Sequence, residues 1–559
     1  MTDLRRYSWL TVLIACIAVF SLVFLGCGGT TEPPAEEEPG EPAEEGEEEE
    51  EEEEAEDLPT NLLMGRVGPP DILNPLKARG GATAFPTSQI YGMLIKWDDN
   101  QEYEPYGAKS WEISDDGRTY TFYLDESNTW HDGEPVVAQD YKFTYEMCAN
   151  PDIFAIAYSD LRTIVGTEEY YEGEADEITG IEIIDDYTFT VTTIEPDAVT
   201  LLALMQPVIP YHILGDVAPI DLDGHPFWRD PIAFGPFKFV EYVTDTYLSL
   251  ERFDDFVLGL PGMETVIIDY SDSTNHTAMA ERGELDWIRP GGDLERVRGF
   301  AHMEIYTGGP YGYHVNRLNH NRPAFQDVRV RQALTHAIDR EGMLQTAGQG
   351  NGEIAHGPFL PPWVDMSKVV KYEFDPDRAR ELLDEAGWDA SYQIEYLTFD
   401  HPRYTDMGAI VERNFDAVGV DMSITLGDFN AMFGRYQNAD YDIYSGYFMF
   451  SSDPHSLANS WHSASPQNHF VGYSNPRLDE LFDLGRATMD VDERSQIYGE
   501  VVQILTEDAV EIGTYGGDSH NALQTNVSGK YVRPFYHFMQ FQDIHNLWEW
   551  KWTGPRLMP

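Results

Sequence analysis

Three groups of residues carry types and spacings that could do chemistry. His455 and His462 stand seven positions apart, so one helical face could present both imidazoles to a nickel or zinc ion. No third ligand follows at metal-site spacing, so they read as surface or core histidines. Tyr447, Phe448, Phe450 and Trp461 cluster in one stretch and could stack on a sugar ring, an apolar solute or an organic cation. A buried strand, which also favours aromatics, is the plainer reading of the same run. Carboxylate pairs abound, but 98 of 559 residues are Asp or Glu, so their pairing carries no information. Gly-x-Ser-x-Gly, Gly-x-x-x-x-Gly-Lys-Ser/Thr and His-Glu-x-x-His are all missing from the sequence. The chemistry therefore points to binding rather than catalysis, with a tethered glycosidase as the strongest enzymatic rival.

The leader decides where that chemistry would operate. Arg5 and Arg6 precede an apolar run, Tyr7 to Gly26, that stops at Cys27. This pattern describes an exported lipoprotein signal, residues 1–27, with Cys27 as the lipidated residue. Cys16 has a better cleavage box, but about ten mostly apolar residues follow it and would be left unexplained. The alternative is an uncleaved apolar anchor, since about 20 such residues suffice to cross a bilayer. Residues 28–60 form an acidic tether with 17 acidic and no basic residues between Glu32 and Asp57, too polar to fold.

Removing those 17 from the net charge of −62 leaves about −45, so the body itself is strongly anionic. Nucleic acid is excluded as a partner on electrostatic grounds, and high external salt suits such a surface. Of the three cysteines only Cys148 lies in the body, so no internal disulfide can form there.

The elements that must position a site are of both kinds. Thr119–Leu124 alternates after an Asp-Asp-Gly turn and predicts a strand. Ile181–Ile184 and Tyr187–Val191, separated by Asp185-Asp186, predict a hairpin. Asp327 to Met343 has helical spacing, and a second helix begins at Pro376 and is capped by Gly387. A third is expected over Asp492 to Leu505. Strands followed by helices recur, which gives an α/β body of more than one lobe.

Several of these segments resemble a known family. Glu104-Pro105-Tyr106-Gly107-Ala108 leads through Trp111 and Asp116-Gly117-Arg118 to Trp130-His131-Asp132-Gly133. Phe234-Gly235-Pro236-Phe237-Lys238, Phe325 to Ala333, Ala337-Ile338-Asp339-Arg340, Leu382 to Trp388 and Gly472-Tyr473-Ser474-Asn475-Pro476 follow in order. This ordered set resembles the family 5 extracellular solute-binding proteins, the oligopeptide, dipeptide and nickel-binding components of ABC importers.

The resemblance implies an α/β, two-lobed periplasmic-binding-protein-like fold of type II, with an extra subdomain. Lobe I would span 61–310 with the inserted subdomain and return at 516–559; lobe II would span 311–515. Implied ligand-binding residues are Gly80, Gly81, Ala82, Thr83, Tyr311, Tyr313, Phe429 and Tyr515, together with the segment holding Tyr447, Phe448, Phe450 and Asp453; the aromatic cluster around that segment adds Trp461 as a candidate. Peptide-binding relatives place an aspartate shortly after a Gly-Trp pair to receive the peptide ammonium. Here that position falls at Phe450 or Ser451, and Asp453 could serve only as a displaced clamp.

The sequence thus predicts a lipid-anchored, monomeric receptor facing the periplasm or cell exterior. It would capture a peptide or another small solute (oligosaccharide, organic cation or metal complex) and pass it to ABC permease subunits. No cofactor and no resident metal are expected.

Overall fold

The computed structural model describes residues 58–529 and 547–558, apart from 67, 71, 78–80, 99–101, 154–157, 272–274, 311 and 450–452. The expectations for Cys27 and for the tether up to residue 57 lie outside the described residues. The described body is α/β and two-lobed, built on three principal sheets.

The first is seven-stranded. Its centre is Asn61–Gly65, parallel to both Thr265–Asp269 and Trp287–Ile288. Tyr247–Arg252 and Phe237–Val243 extend one side, and Ser519–Gln524 and Met303–Gly308 the other. The second is a four-stranded antiparallel sheet between Ala108 and Thr192. It contains the expected strand Thr119–Leu124 and the expected hairpin, Ile181–Asp185 against Thr188–Thr192. These two sheets share one apolar core. Leu62 and Met64 from the first and Tyr120, Phe122 and Phe189 from the second lie in the same buried cluster.

The third sheet has six strands. Gln393–Phe399, Asp421–Gly427, Ile443–Met449 and Glu511–Gly516 run one way, and Gly312–Leu318 and Glu353–Ile354 run the other. Every residue of Gly312–Leu318 is buried, as a strand covered on both faces must be. One face packs on helices Val328–Ala337, Pro376–Ala386 and Pro402–Asp416 through Leu334, Leu382 and Met407. The other packs on Pro476–Ala487 and Val491–Glu507 through Leu478 and Tyr498.

The expected helix from Asp327 is two helices. Val328–Ala337 ends at Ile338, whose extended backbone (ψ 119°) turns the chain, and Asp339 then caps Arg340–Thr346 by accepting from Gly342 N at 2.8 Å. A residue that caps through its side chain must itself leave helical geometry, so the aspartate divides the run. Pro376–Ala386 begins after the Asp375 cap and ends at Gly387, whose φ of +71° is the left-handed stop that glycine takes without strain.

Candidate ligand-binding cleft

Strand direction locates the site. In the seven-stranded sheet, Asn61–Gly65, Thr265–Asp269, Trp287–Ile288 and Met303–Gly308 all end at the same edge. In the six-stranded sheet, the four co-directional strands end together at Phe399, Gly427, Met449 and Gly516. Two short crossovers, Gly308 to Gly312 and Gly516 to Ser519, leave one of these edges and enter the other. The carboxyl edges of the two sheets therefore face each other. Open sheets of this kind bind ligands outside their carboxyl ends. The crossovers are packed tightly: a Cβ on Gly516 would lie 2.6 Å from Pro310 Cβ and 2.7 Å from Gly312 O.

The six-stranded side of the cleft is aromatic. Phe429 is 60 % exposed and stacks between Phe399 (5.5 Å) and Phe433 (5.4 Å). Leu426 and Met449 stand exposed near the ends of the two strands that flank Gln393–Phe399. Tyr404 meets Phe399 edge-on at 4.9 Å and His314 at 5.5 Å. His314 is buried among Tyr404, Tyr447 and Tyr515, and its Nδ1 has no hydrogen-bond partner among the described residues. Burial, with the Arg403 charge adding to it, lowers its pKa to about 3, so the ring is neutral at physiological pH.

The seven-stranded side carries polar groups. Arg66 follows Gly65 on the face that holds Leu62 and Met64, by the period-two alternation of a strand. Its guanidinium lies 4.0 Å over Phe85 and 5.4 Å from Trp287. Burial, then the nearby Arg289 charge, pulls its pKa down to about 9. Tyr270 follows Asp269, the last residue of the adjoining strand, on the same face. Phe85 belongs to helix Gly81–Ile90, so the predicted residues Gly81, Ala82 and Thr83 stand on the element that covers Arg66.

The other predicted residues are dispersed by depth. Tyr313 is buried, and its hydroxyl donates to Glu511. Tyr515 is buried against Met407 and His314. Phe448 lies under the Arg317 guanidinium at 3.6 Å, and Trp461 sits on the same cation at 5.4 Å, turned into the lobe. Arg317 in turn donates to Glu511 (3.2 Å), Tyr436 (2.7 Å) and Ser460 (3.0 Å). Asp453 accepts two bonds from Arg494, at 2.9 and 3.0 Å, and caps the next turn through His455 N. Its carboxylate thus holds a guanidinium of its own lobe. Gly80, Tyr311 and Phe450 lie outside the described residues. His455 and His462 are not a metal pair here: His455 Nδ1 faces the Tyr498 hydroxyl at 3.1 Å, and His462 lies beside Asp479 and Asp483. Among the described residues no three His, Cys, Asp or Glu side chains gather as ion ligands.

Sequence reasoning missed Arg66, Phe399, Tyr404 and His314. For Arg66 a signal existed: it is the cation that continues the inward series Leu62, Met64 just before Gly68-Pro69-Pro70.

Residues 102–469 match the family model described as bacterial extracellular solute-binding proteins, family 5 (middle part). The chain belongs to that family. The oligopeptide-binding protein AppA of Bacillus subtilis is 25% identical over 513 residues, covering 88% of this chain and 91% of that protein. The structure of AppA with a nonapeptide superposes with a TM-score of 0.72 over 88% of this chain and 98% of that one. CtaP, an ABC transporter substrate-binding protein of Listeria monocytogenes, gives 0.77 at 26% identity, covering 89% and 100%. A putative ABC transporter peptide-binding protein of Brucella ovis is 30% identical over 62% of this chain and 65% of its own length. Members of this family bind substrates rather than transform them, and the two-lobed architecture is common to these solved structures.

Proposed function

We propose that this chain is the receptor subunit of an ABC importer, taking a peptide-sized solute between its lobes and presenting it to the permease. The observation that carries the reading is the pair of facing carboxyl edges, one aromatic and exposed, the other lined with buried hydrogen-bond donors. Closure over a solute would desolvate both edges together, and the closed shape is what a permease distinguishes from the empty one. The names of the relatives, AppA and the Brucella protein, support a peptide. The exposed Phe429, Leu426 and Met449 support affinity through apolar side chains rather than through an ammonium clamp.

In the same reading Cys27 carries the lipid and the acidic segment holds the body clear of the membrane. Among the described residues no helix is long and apolar enough to cross a bilayer. Replacing Cys27 by Ser should release the protein from membranes, whereas release on replacing Cys16 instead would move the anchor.

The test of the function is thermal unfolding of the protein against a defined peptide mixture, oligosaccharides and organic cations. A bound solute stabilises the native state by RT ln(1 + [L]/Kd), about 2.7 kcal/mol at 100 times Kd. Peptides should raise the midpoint. A shift from oligosaccharide or organic cation alone would keep the receptor role and replace the peptide.

A further inference from the structure

Among 98 acidic side chains and only 36 lysines and arginines, a buried cation without an acid beside it calls for an explanation. Arg66 is 7 % exposed, and its Nη1 donates to no partner among the described residues. Its charge is faced by the rings of Phe85 and Trp287, and the charge of a second arginine, Arg289, acts on it. A cation–π contact offsets part of the loss of water, but it leaves the N–H groups of Nη1, in the guanidinium plane, unmet. The Tyr270 hydroxyl is also buried and unpartnered among the described residues, close enough for each group to feel the other's charge. Both side chains stand on one face of the seven-stranded sheet, at the edge that opens on the cleft.

From these two orphaned donors we infer that Arg66 and Tyr270 form an anion subsite of the cleft, which receives a carboxylate of the bound solute. The inference rests on the receptor reading above and specifies its ligand as an acid. A guanidinium offers two parallel N–H groups that match the two oxygens of a carboxylate, and a phenol can donate to the same oxygen from the side. Arg289 raises the local positive potential and so strengthens the attraction to an anion over a neutral group. The apolar remainder of the solute then lies towards Phe399 and Phe429 across the cleft. A buried charge that waits for its partner weakens the empty protein and strengthens the loaded one.

The test uses the full-length protein, its Arg66→Met variant and three probes. Acetate is compared with chloride at equal ionic strength, and an N-acetylated tripeptide acid is compared with its C-terminal amide. In the wild type, acetate should raise the unfolding midpoint above its value in chloride, and the peptide acid should bind at least about tenfold tighter than the amide. In Arg66→Met both differences should vanish, while the midpoint in chloride stays level or rises. Equal binding of acid and amide by the wild type overturns the subsite while leaving the receptor reading standing. If neither peptide binds but acetate still distinguishes the two proteins, the peptide reading falls and the subsite stands. A lower midpoint for Arg66→Met in chloride, with the acetate effect unchanged, would mean that the guanidinium serves the fold alone and would overturn the inference. Should Arg66→Met fail to fold, Tyr270→Phe carries the test: its acid-to-amide ratio should fall several-fold, and an unchanged ratio overturns the subsite.

Discussion

Asp453 shows how one side chain can be committed before any solute arrives. Its two oxygens hold Arg494, whose side chain is only 6 % exposed, and the same carboxylate caps the following turn. Removing one partner of a buried pair leaves the other charge stranded, at about 3–5 kcal/mol. Asp453→Ala should therefore lower stability to urea by that order; lost solute binding at unchanged stability would instead make Asp453 a ligand contact. Histidines supply a second prediction at this scale. Burial lowers the pKa of His131 and His455 to about 4 and of His314 and His320 to about 3, from an ordinary 6.5. Between those limits the unfolded chain takes up protons that the folded chain refuses. The stability contribution is thus complete above pH 6.5 and drains away as pH falls towards 3–4, by up to about 1.4 kcal/mol per pH unit for each ring. Urea midpoints measured from pH 7 to 4 should fall steeply. His320→Gln, which can keep the bond to Val510 O, should flatten that fall, and an unaltered slope would remove His320 from the account.

Elements were legible where local chemistry alone decides them. Pro376–Ala386 announces itself by a proline in its first turn, apolar residues at helical spacing and a glycine stop, and all three act within the segment. Thr119–Leu124 is legible for the same reason, since alternation of buried and half-buried residues repeats with the strand period. Asp339 was not, because an aspartate inside a helical pattern looks like a surface residue until its side chain is seen accepting from Gly342 N. Asp339→Ala should cost about 1 kcal/mol and fray Arg340–Thr346, measurable by urea unfolding; a neutral substitution would show that packing alone sets that helix start. The cleft was legible only in part. Phe429 was marked by resemblance, and the exposed ring sits at the strand edge. Which aromatics point inward is a tertiary fact: Trp461 turns to Arg317, and Tyr313 to Glu511, partners distant in sequence. Arg66 needed the strand's register to be known before its burial could matter.

At the scale of the molecule, the two lobes touch away from the crossovers as well as at them. Arg486 of helix Pro476–Ala487 donates to Asp197 Oδ2 at 2.9 Å, and Ala198 N donates to Arg486 O. Asp197 is buried and also accepts from Thr163 and from Val199 N, so the four-stranded region presents a fixed acid to the other lobe. Loss of this ion pair should favour separation of the lobes. The acidic body adds a general repulsion that salt screens, which favours compact states in concentrated salt. The most direct test of a receptor that clamps its solute is small-angle scattering from the wild type and Asp197→Asn, each with and without a saturating binder from the thermal screen. The account predicts a smaller radius of gyration for the loaded protein, and a larger one for empty Asp197→Asn than for the empty wild type. Superimposable curves from the wild type with and without a binder that demonstrably raises its unfolding midpoint would contradict it.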